Sequence, residues 1–250
     1  MIKIKTPQEV KIMEKSGQML SEAMWGLVKA IKPGMSEIEL DVLAERLIKE
    51  KGGESGFKKV EGYKHTVCMS TNDVCVHGIP SNYKFKNGDV VGIDCGVYYN
   101  GFHTDMSETV VIGGTSKQVE KFLNIGKKAL EEGIKQAKVG NHVGDISKAI
   151  QDIVEAQNGY SVVRSLVGHG VGRELHEDPE IPGYIHGKIE KSPLLKEGMV
   201  IAIEVIYNMG KSDLTIDDDG WTLRTRDGSL SGLFERTIAI TMAGPKVLTP

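Results

Sequence analysis

The sequence predicts an α+β fold in which one domain is built from two similar halves, residues 1–112 and 113–250. Two segments carry the same pattern of helix, glycine turn and second helix: AIKPGMSEIELDVLAERLIKEKGG from Ala30 and QAKVGNHVGDISKAIQDIVEAQNG from Gln136. Strand-like sequence follows each segment, and no linker or low-complexity stretch separates the halves. The alternative is a chance similarity between two ordinary helix pairs. If the halves are related, the crevice between them is a natural ligand site.

Capping residues mark the helices of the first half. Residues 6–9, Thr-Pro-Gln-Glu, combine an N-cap, a proline at the first helical position and the glutamate of a capping box. They predict an amphipathic helix that runs to about Ala30. Ser36 and Glu39 form a second capping box, so a second helix is expected up to Gly52.

The second half repeats this order of signals. Ser116 is expected to cap a third helix, and residues 138–140, Lys-Val-Gly, are expected to end it. A fourth helix is then predicted from Asp145 to Asn158.

A β-hairpin is predicted over residues 89–113, DVVGIDCGVYYNGFHTDMSETVVIG. The dipeptide Asn100-Gly101 supplies the two residues of positive φ that a two-residue turn requires. If Tyr99 pairs with Phe102, the register of both strands is determined.

In that register Asp94 and Asp105 share one face of the hairpin as diagonal neighbours, about 7–8 Å apart at the backbone. Two carboxylates in strands rich in valine and isoleucine are costly to bury unless a cation lies between them. A pair of divalent metal ions is one candidate for that cation. The alternatives are a solvated hairpin face or a β-bulge that changes the register.

Two later strands also carry an acidic residue in an apolar run. Residues 198–207 contain Glu204, and residues 233–241 contain Glu235. The segment 221–226 is predicted to form a further hairpin with 233–241.

One unusual feature is common to Asp94, Glu204 and Glu235. Each is an acidic residue in a strand whose apolar sequence predicts burial. A buried carboxylate requires a partner. For any one of them the partner could be Arg224 or Arg236, but three such residues together with Asp105 indicate a site.

Histidines add to this set. His169 is enclosed by glycines in VGHGVG, so the backbone there can approach a ligand closely, and His176 follows seven residues later. His77 ends a strand before a Gly-x-Pro turn, where functional groups are common. His103 is an alternative ligand because it shares the hairpin face of Asp105. The histidines interpreted as surface residues are His65, His142 and His186.

Four carboxylates and one imidazole form a hard donor set, which suits Mn²⁺, Fe²⁺ or Co²⁺ better than a thiolate zinc site, with Zn²⁺ still possible. Two such ions would lower the pKa of water and polarise a carbonyl, which is the chemistry of amide or ester hydrolysis. Other histidines could then donate hydrogen bonds to the developing oxyanion.

Composition and charge exclude several classes of protein. The net charge of −3, with 26% charged residues, gives no basic field for nucleic acid or anionic membrane. No apolar run has the length of a bilayer span, and the N-terminus lacks a secretory signal. Three cysteines without metal spacing are typical of a reducing compartment. A cytoplasmic protein is expected.

At these residues the sequence resembles the type I methionine aminopeptidases, enzymes with two metal ions and the pita-bread fold. The motifs NDVCVHGIP, FHTDMSETVVIG, GHGVGRELHEDP and DGWTLRTRDGSLS carry the resemblance, which spans nearly the whole chain. It implies a single catalytic domain, 1–250, with a curved antiparallel sheet and helices on its outer face. The implied metal ligands are Asp94, Asp105, His169, Glu204 and Glu235.

The resemblance also implies individual roles. Asp105 and Glu235 bridge the two ions, Glu204 shuttles a proton, and His77 and His176 contact the substrate and stabilise the transition state. The implied methionine pocket consists of Tyr63, Cys68, Leu175 and Trp221. The implied activity is removal of the initiator methionine from nascent chains at the ribosome when the second residue is small, by a monomer.

The sequence departs from the family at two positions. Val205 stands where proline usually follows the glutamate, and Arg236 stands where histidine is usual. Arg236 is a cation beside a bridging carboxylate, so it is expected to alter metal affinity or the pKa of bound water.

Two other functions remain open. Xaa-Pro aminopeptidases and dipeptidases share the fold and all five ligands, but typically have an additional N-terminal domain for which this chain has no spare length. A non-catalytic binding protein that lost the metals is the second alternative, which the retained ligand set disfavours.

Overall fold

A computed structural model describes residues 1–250. It contains four helices on one face of a large antiparallel sheet and a second, smaller sheet. The helices are α1 (Pro7–Ala30), α2 (Glu37–Glu50), α3 (Lys117–Gln136) and α4 (Val143–Gln151), the last continued by a π-helical turn, Asp152–Ala156. The capping boxes predicted at Thr6 and Ser36 are both present. α4 begins two residues before the predicted start, because Asp145 is the N3 residue that accepts from the backbone N–H of His142.

Thirteen strands make up the two sheets. They are β1 (Glu54–Ser55), β2 (Val67–Thr71), β3 (Val74–Val76), β4 (Val90–Tyr99), β5 (Phe102–Val111), β6 (Ser161–Val162), β7 (Gly168–Gly170), β8 (Glu177–Ile181), β9 (Val200–Asn208), β10 (Leu214–Ile216), β11 (Leu223–Thr225), β12 (Ser231–Thr241) and β13 (Gly244–Val247).

The large sheet has the order β1-β4-β5-β12-β9-β7-β8, and each pairing in it is antiparallel. Its centre is the β5–β12 pair, where Ser107 lies opposite Glu235. On each side of this pair is a strand that follows one helix pair, β4 on the first side and β9 on the second. This arrangement agrees with the predicted pseudo-two-fold fold.

The helices cover one face of the sheet. α1 and α2 pack on β4 and β5, and α3 and α4 pack on β9 and β12, in two apolar cores. The sheet residues in these cores include Ile93, Met106, Ile203 and Phe234. Because side chains alternate along a strand, the neighbouring positions face the other way. Those neighbours are Asp94, Asp105, Glu204 and Glu235, here called the acidic cluster.

The predicted hairpin between residues 221–226 and 233–241 is wrong. Residues of β11 pair instead with β10 and β3 in the small sheet, of order β10-β11-β3. β12 pairs with β5, β9 and β13. The partner of β11 is distant in the chain, and local sequence carries no signal for such a pairing.

Candidate active site

The β4–β5 hairpin positions two members of the acidic cluster. Asn100 and Gly101 have φ of 48° and 87°, and Tyr99 pairs with Phe102 as predicted. Asp94 therefore lies opposite Ser107, and Asp105 lies opposite Gly96, which confirms the predicted register.

The other two members come from the second half. Glu204 and Glu235 are direct partners across β9 and β12. Glu235 is also opposite Ser107 on β5, so the acidic cluster spans the junction of the halves. Asp105 and Glu235 are 4% and 2% exposed.

His169 completes this group from β7, where it pairs with Ala202. Its Nδ1 donates to the carbonyl of Gly170 at 2.9 Å, which leaves Nε2 facing the carboxylates. Nε2 lies 3.3 Å from Oε1 of Glu204 and 4.0 Å from Oε1 of Glu235. One ligand-type atom from each of Asp105, His169 and Glu235 falls within 4.8 Å of the others.

Burial without a cation changes the acidity of the cluster. Burial and the neighbouring carboxylates raise the pKa values of Asp94, Asp105 and Glu235 well above those of ordinary acids. Burial alone would lower the pKa of His169, but the hydrogen bond and charge of Glu204 raise it above its usual value. Oδ1 of Asp94 and Oε1 of Glu235 are buried and accept no hydrogen bond.

Neither arginine proposed as an alternative partner reaches the cluster. Arg224 binds Asp73 at 3.0 Å and Asp217 at 2.8 Å. The donor set and the two free carboxylate oxygens therefore fit divalent cations.

Arg236 lies on the helix-covered face, because it follows Glu235 by one residue. Its guanidinium binds Glu108 at 2.8 Å and donates to the carbonyls of Ser107 and Glu235. Val205 is likewise buried on that face, in the core with α3 and α4. The expectation that Arg236 is a cation at the site is not supported, since its charge is paired with Glu108 behind the sheet.

His77 and His176 both line the cavity that holds the acidic cluster. His77 directly follows β3 with φ of 57°, and burial lowers its pKa. The ring centroid of His176 is 4.4 Å from that of His169. Although His176 is an exposed residue of the cavity lining, desolvation of its ring and then the charges of His169 and His77 lower its pKa to about 4.

The other histidines lie away from the cluster. His103 is buried against Tyr98, at 4.8 Å between ring centroids, and is not among the cavity-lining residues. His65 is half-buried with Nδ1 at 3.2 Å from Asp41, and His142 is the half-buried N-cap of α4. Of the three predicted surface histidines, His186 alone is exposed.

The acidic cluster lies in a cavity of about 310 Å³. One wall consists of Tyr63, Cys68, Leu175 and Trp221, as predicted, with Phe57 and Val60 beside them. Tyr63 donates to the carbonyl of Val67 at 2.8 Å and packs edge-on against Trp221 at 5.2 Å. This wall is apolar and aromatic, which suits a thioether side chain.

The sequence did not predict the remaining lining of the cavity. Its residues are Val76, Ser165, Leu166, Val167, Ile206 and Leu233. Strand alternation carried a signal for two of them, because Ile206 is two residues from Glu204 and Leu233 is two residues from Glu235. The loop 165–167 had no sequence signal that would place it in the cavity lining.

An antiparallel sheet that presents this cluster in a cavity is compatible with a metal-dependent hydrolase, and comparison with known proteins shows which family the chain resembles. The profile of metallopeptidase family M24 matches residues 11–241, and the chain belongs to this family. The chain is 44% identical to the methionine aminopeptidase of Clostridium perfringens over 249 residues, 100% of this chain and 99% of that protein. It is equally identical, with the same coverage, to methionine aminopeptidase 1 of Bacillus subtilis.

Comparison with solved structures supports the same family and fold. The methionine aminopeptidase of Thermotoga maritima superposes with a TM-score of 0.96 at 40% identity, covering 100% of this chain and 99% of that one. The prolidase of Pyrococcus furiosus superposes with a TM-score of 0.80 at 27% identity, and the match covers 99% of this chain but 65% of that one. The predicted pita-bread fold and the resemblance to methionine aminopeptidases are confirmed. None of the helices combines the length and apolar character needed to cross a bilayer.

Proposed function

We propose that this protein is a metal-dependent aminopeptidase that removes methionine from the N-terminus of a polypeptide. The observation that carries the proposal is the buried acidic cluster with His169 at one side of an apolar cavity. The names of the full-length relatives point to the same reaction.

Two divalent ions would be held by Asp94, Asp105, His169, Glu204 and Glu235. Family membership implies divalent metals, and this hard donor set favours Mn²⁺, Fe²⁺ or Co²⁺, with Zn²⁺ also accommodated. When bound, the ions supply Lewis acidity for the scissile carbonyl and a nucleophilic water at neutral pH.

The protein's own groups then handle the proton and the developing charge. Glu204 is positioned to take the proton of the attacking water and return it to the leaving amine. His77 and His176, both with lowered pKa values, are neutral at pH 7, so each can donate one N–H to the substrate or to the tetrahedral oxygen.

The apolar wall sets specificity. Tyr63, Cys68, Leu175 and Trp221 would enclose the methionine side chain, leaving the second residue of the substrate toward other lining residues such as Ile206 and Leu233. A preference for a small second residue is part of the proposal. Nascent chains at the ribosome, a cytoplasmic location and a monomeric state belong to the same proposal.

A peptide panel tests the function. The protein with Mn²⁺ or Co²⁺ should release methionine from Met-Ala-Ser, release little from Met-Leu-Ser and leave Ala-Pro intact. Cleavage of Ala-Pro alone would assign the protein to the Xaa-Pro peptidases, the class of the prolidase neighbour. Absence of all cleavage in folded, metal-loaded protein would favour a binding protein.

A further inference from the structure

The chain's first residues form a strap that runs beside the loop carrying His176. We call residues 1–6 the N-terminal strap and residues 172–177 the histidine loop. The backbone N–H of Lys5 donates to the carbonyl of Gly198 at 2.8 Å, which anchors the strap to the start of the β9 segment. From there the Lys5 side chain turns inward, and 5% of it remains exposed.

The Lys5 ammonium meets Glu177 inside the histidine loop. Nζ of Lys5 lies 2.7 Å from Oε2 of Glu177, whose side chain is 2% exposed. The other oxygen, Oε1, accepts the backbone N–H groups of Arg173 at 3.0 Å and Glu174 at 3.3 Å. The loop is thus closed around one carboxylate that a buried cation holds in place.

Gly172 makes this packing possible. A Cβ at this position would lie 2.5 Å from Cε of Lys5 and 2.9 Å from Oε1 of Glu177, so one of these side chains would have to move. The histidine loop and the Lys5 side chain are therefore closely packed.

His176 depends on this arrangement for its position. The residue is exposed and its imidazole makes no hydrogen bond within the protein, so no polar contact holds the ring. It directly precedes Glu177, and its ring packs edge-on against that of His169 at 4.4 Å between centroids. The position of the loop backbone sets where the imidazole lies.

We propose that Lys5 and Glu177 are positioning residues for His176, and that the N-terminal strap holds the histidine loop in its working geometry. The proposal rests on the proposed function, because there His176 contacts the substrate. Removing the Lys5 charge takes from the buried Glu177 carboxylate its 2.7 Å partner and leaves only Lys3 at 3.3 Å, so the loop is expected to loosen. Lys3 is a matched control, since it contacts the same carboxylate at 3.3 Å but its side chain is 53% exposed.

The first test measures the structure of the histidine loop and does not depend on enzymatic turnover. Full-length wild type, Lys5→Met and Lys3→Met are compared by amide hydrogen exchange and by the imidazole NMR signals of His176. In Lys5→Met the amides of residues 172–177 should exchange at least about ten-fold faster and the His176 signals should shift, while Lys3→Met matches wild type. Unchanged exchange and unchanged signals in Lys5→Met would overturn the proposal.

The second test links the strap to turnover. Lys5→Met should lower kcat on Met-Ala-Ser about ten-fold with KM and metal content retained, and Lys5→Arg should restore most of it. In a His176→Ala background Lys5→Met should have no further effect, whereas an equal loss in both backgrounds would contradict positioning.

If Lys5→Met does not fold, the variant Lys5→Met/Glu177→Gln, which leaves no buried unpaired charge, replaces it in both tests. If wild type releases no methionine with any metal, the proposed function fails, while hydrogen exchange and NMR still decide the role of the strap.

Discussion

Glu204 and Glu235 face each other from directly paired positions on β9 and β12, and Nε2 of His169 lies 3.3 Å from the first carboxylate and 4.0 Å from the second. Asp105 and Asp94 extend the same group from the other half of the molecule. No arginine or lysine contacts these carboxylates. The four carboxylates repel each other unless protons or metal ions neutralise their charge. The metal dependence and the pH dependence of the protein can therefore be tested together.

Loss of Asp105 or Glu235 should abolish the binding of two metal ions. In Asp105→Ala or Glu235→Ala, turnover should fall at least about 10³-fold, because the remaining ligands cannot hold two ions. Calorimetric titration with Mn²⁺ measures the stoichiometry. Glu108→Gln is the control, since Glu108 lies on β5 but on the opposite face and should leave the stoichiometry unchanged. An active Glu235→Ala variant with two ions bound would refute the ligand assignment.

The metal-free protein should lose stability as pH rises. The pKa values of Asp94, Asp105 and Glu235 are raised in the folded state, so their contribution is fully present below the unfolded value of about 4 and declines as pH rises toward the folded values. Each group costs up to about 1.4 kcal/mol per pH unit in that interval.

The Tm measured in EDTA should therefore fall from about pH 5 to about pH 8 relative to that of Asp94→Asn, which cannot ionise at this position. The comparison cancels the contributions of the histidines. Saturating Mn²⁺ should remove the decline, since binding to the folded state alone stabilises by about 2.7 kcal/mol at 100 times Kd. A constant difference between the two proteins across this range would contradict raised pKa values.

His77→Ala and His176→Ala should each lower kcat about 10²-fold while metal content stays intact, because a hydrogen-bond donor to the developing oxyanion is lost. The pKa of His176, lowered to about 4, predicts that this group does not titrate in the neutral pH range of the kcat profile. His186→Ala, at an exposed position, is the control. Loss of metal in His77→Ala would show that His77 is a ligand instead.

Arg236→His should change stability more than activity. The guanidinium pairs with Glu108 behind the sheet, at 14% and 3% side-chain exposure, so its loss should destabilise the fold by about 1–3 kcal/mol. Metal affinity and kcat should remain within about two-fold of wild type, because the side chain does not enter the cavity. Denaturant unfolding and metal titration measure the two effects. A large change in metal affinity with unchanged stability would contradict this placement.

Trp221→Ala should raise KM for Met-Ala-Ser about ten-fold with kcat nearly retained. Trp221 packs on Tyr63 in the apolar lining of the cavity, so we expect it to contribute binding shared by ground state and transition state. Steady-state kinetics distinguish the two parameters. A fall in kcat without a change in KM would place Trp221 in the reaction rather than in the pocket.

The sequence predicted the parts of the site that local rules determine. Asn100-Gly101 sets the turn, the turn sets the register, and the register places Asp94 and Asp105 on one face. The same alternation rule places Arg236 behind the sheet, and applying it there would have corrected the expectation that its charge acts at the site.

Other parts depend on contacts between distant segments. β11 pairs with β3 across about 150 residues of chain, and Lys5 meets Glu177 across a similar separation. Neither pairing has a local sequence signal, because their strength comes from burial in the folded protein. The loop 165–167 enters the cavity wall for the same reason.

Divalent ions at the acidic cluster should be required for methionine release. Their requirement is measured most directly as methionine released from Met-Ala-Ser by EDTA-treated protein while Mn²⁺, Co²⁺ or Fe²⁺ is titrated back. We expect no release in EDTA and recovery that saturates as the ions bind, with Glu235→Ala inactive throughout. Undiminished release in EDTA, or recovery by Glu235→Ala, would contradict this requirement.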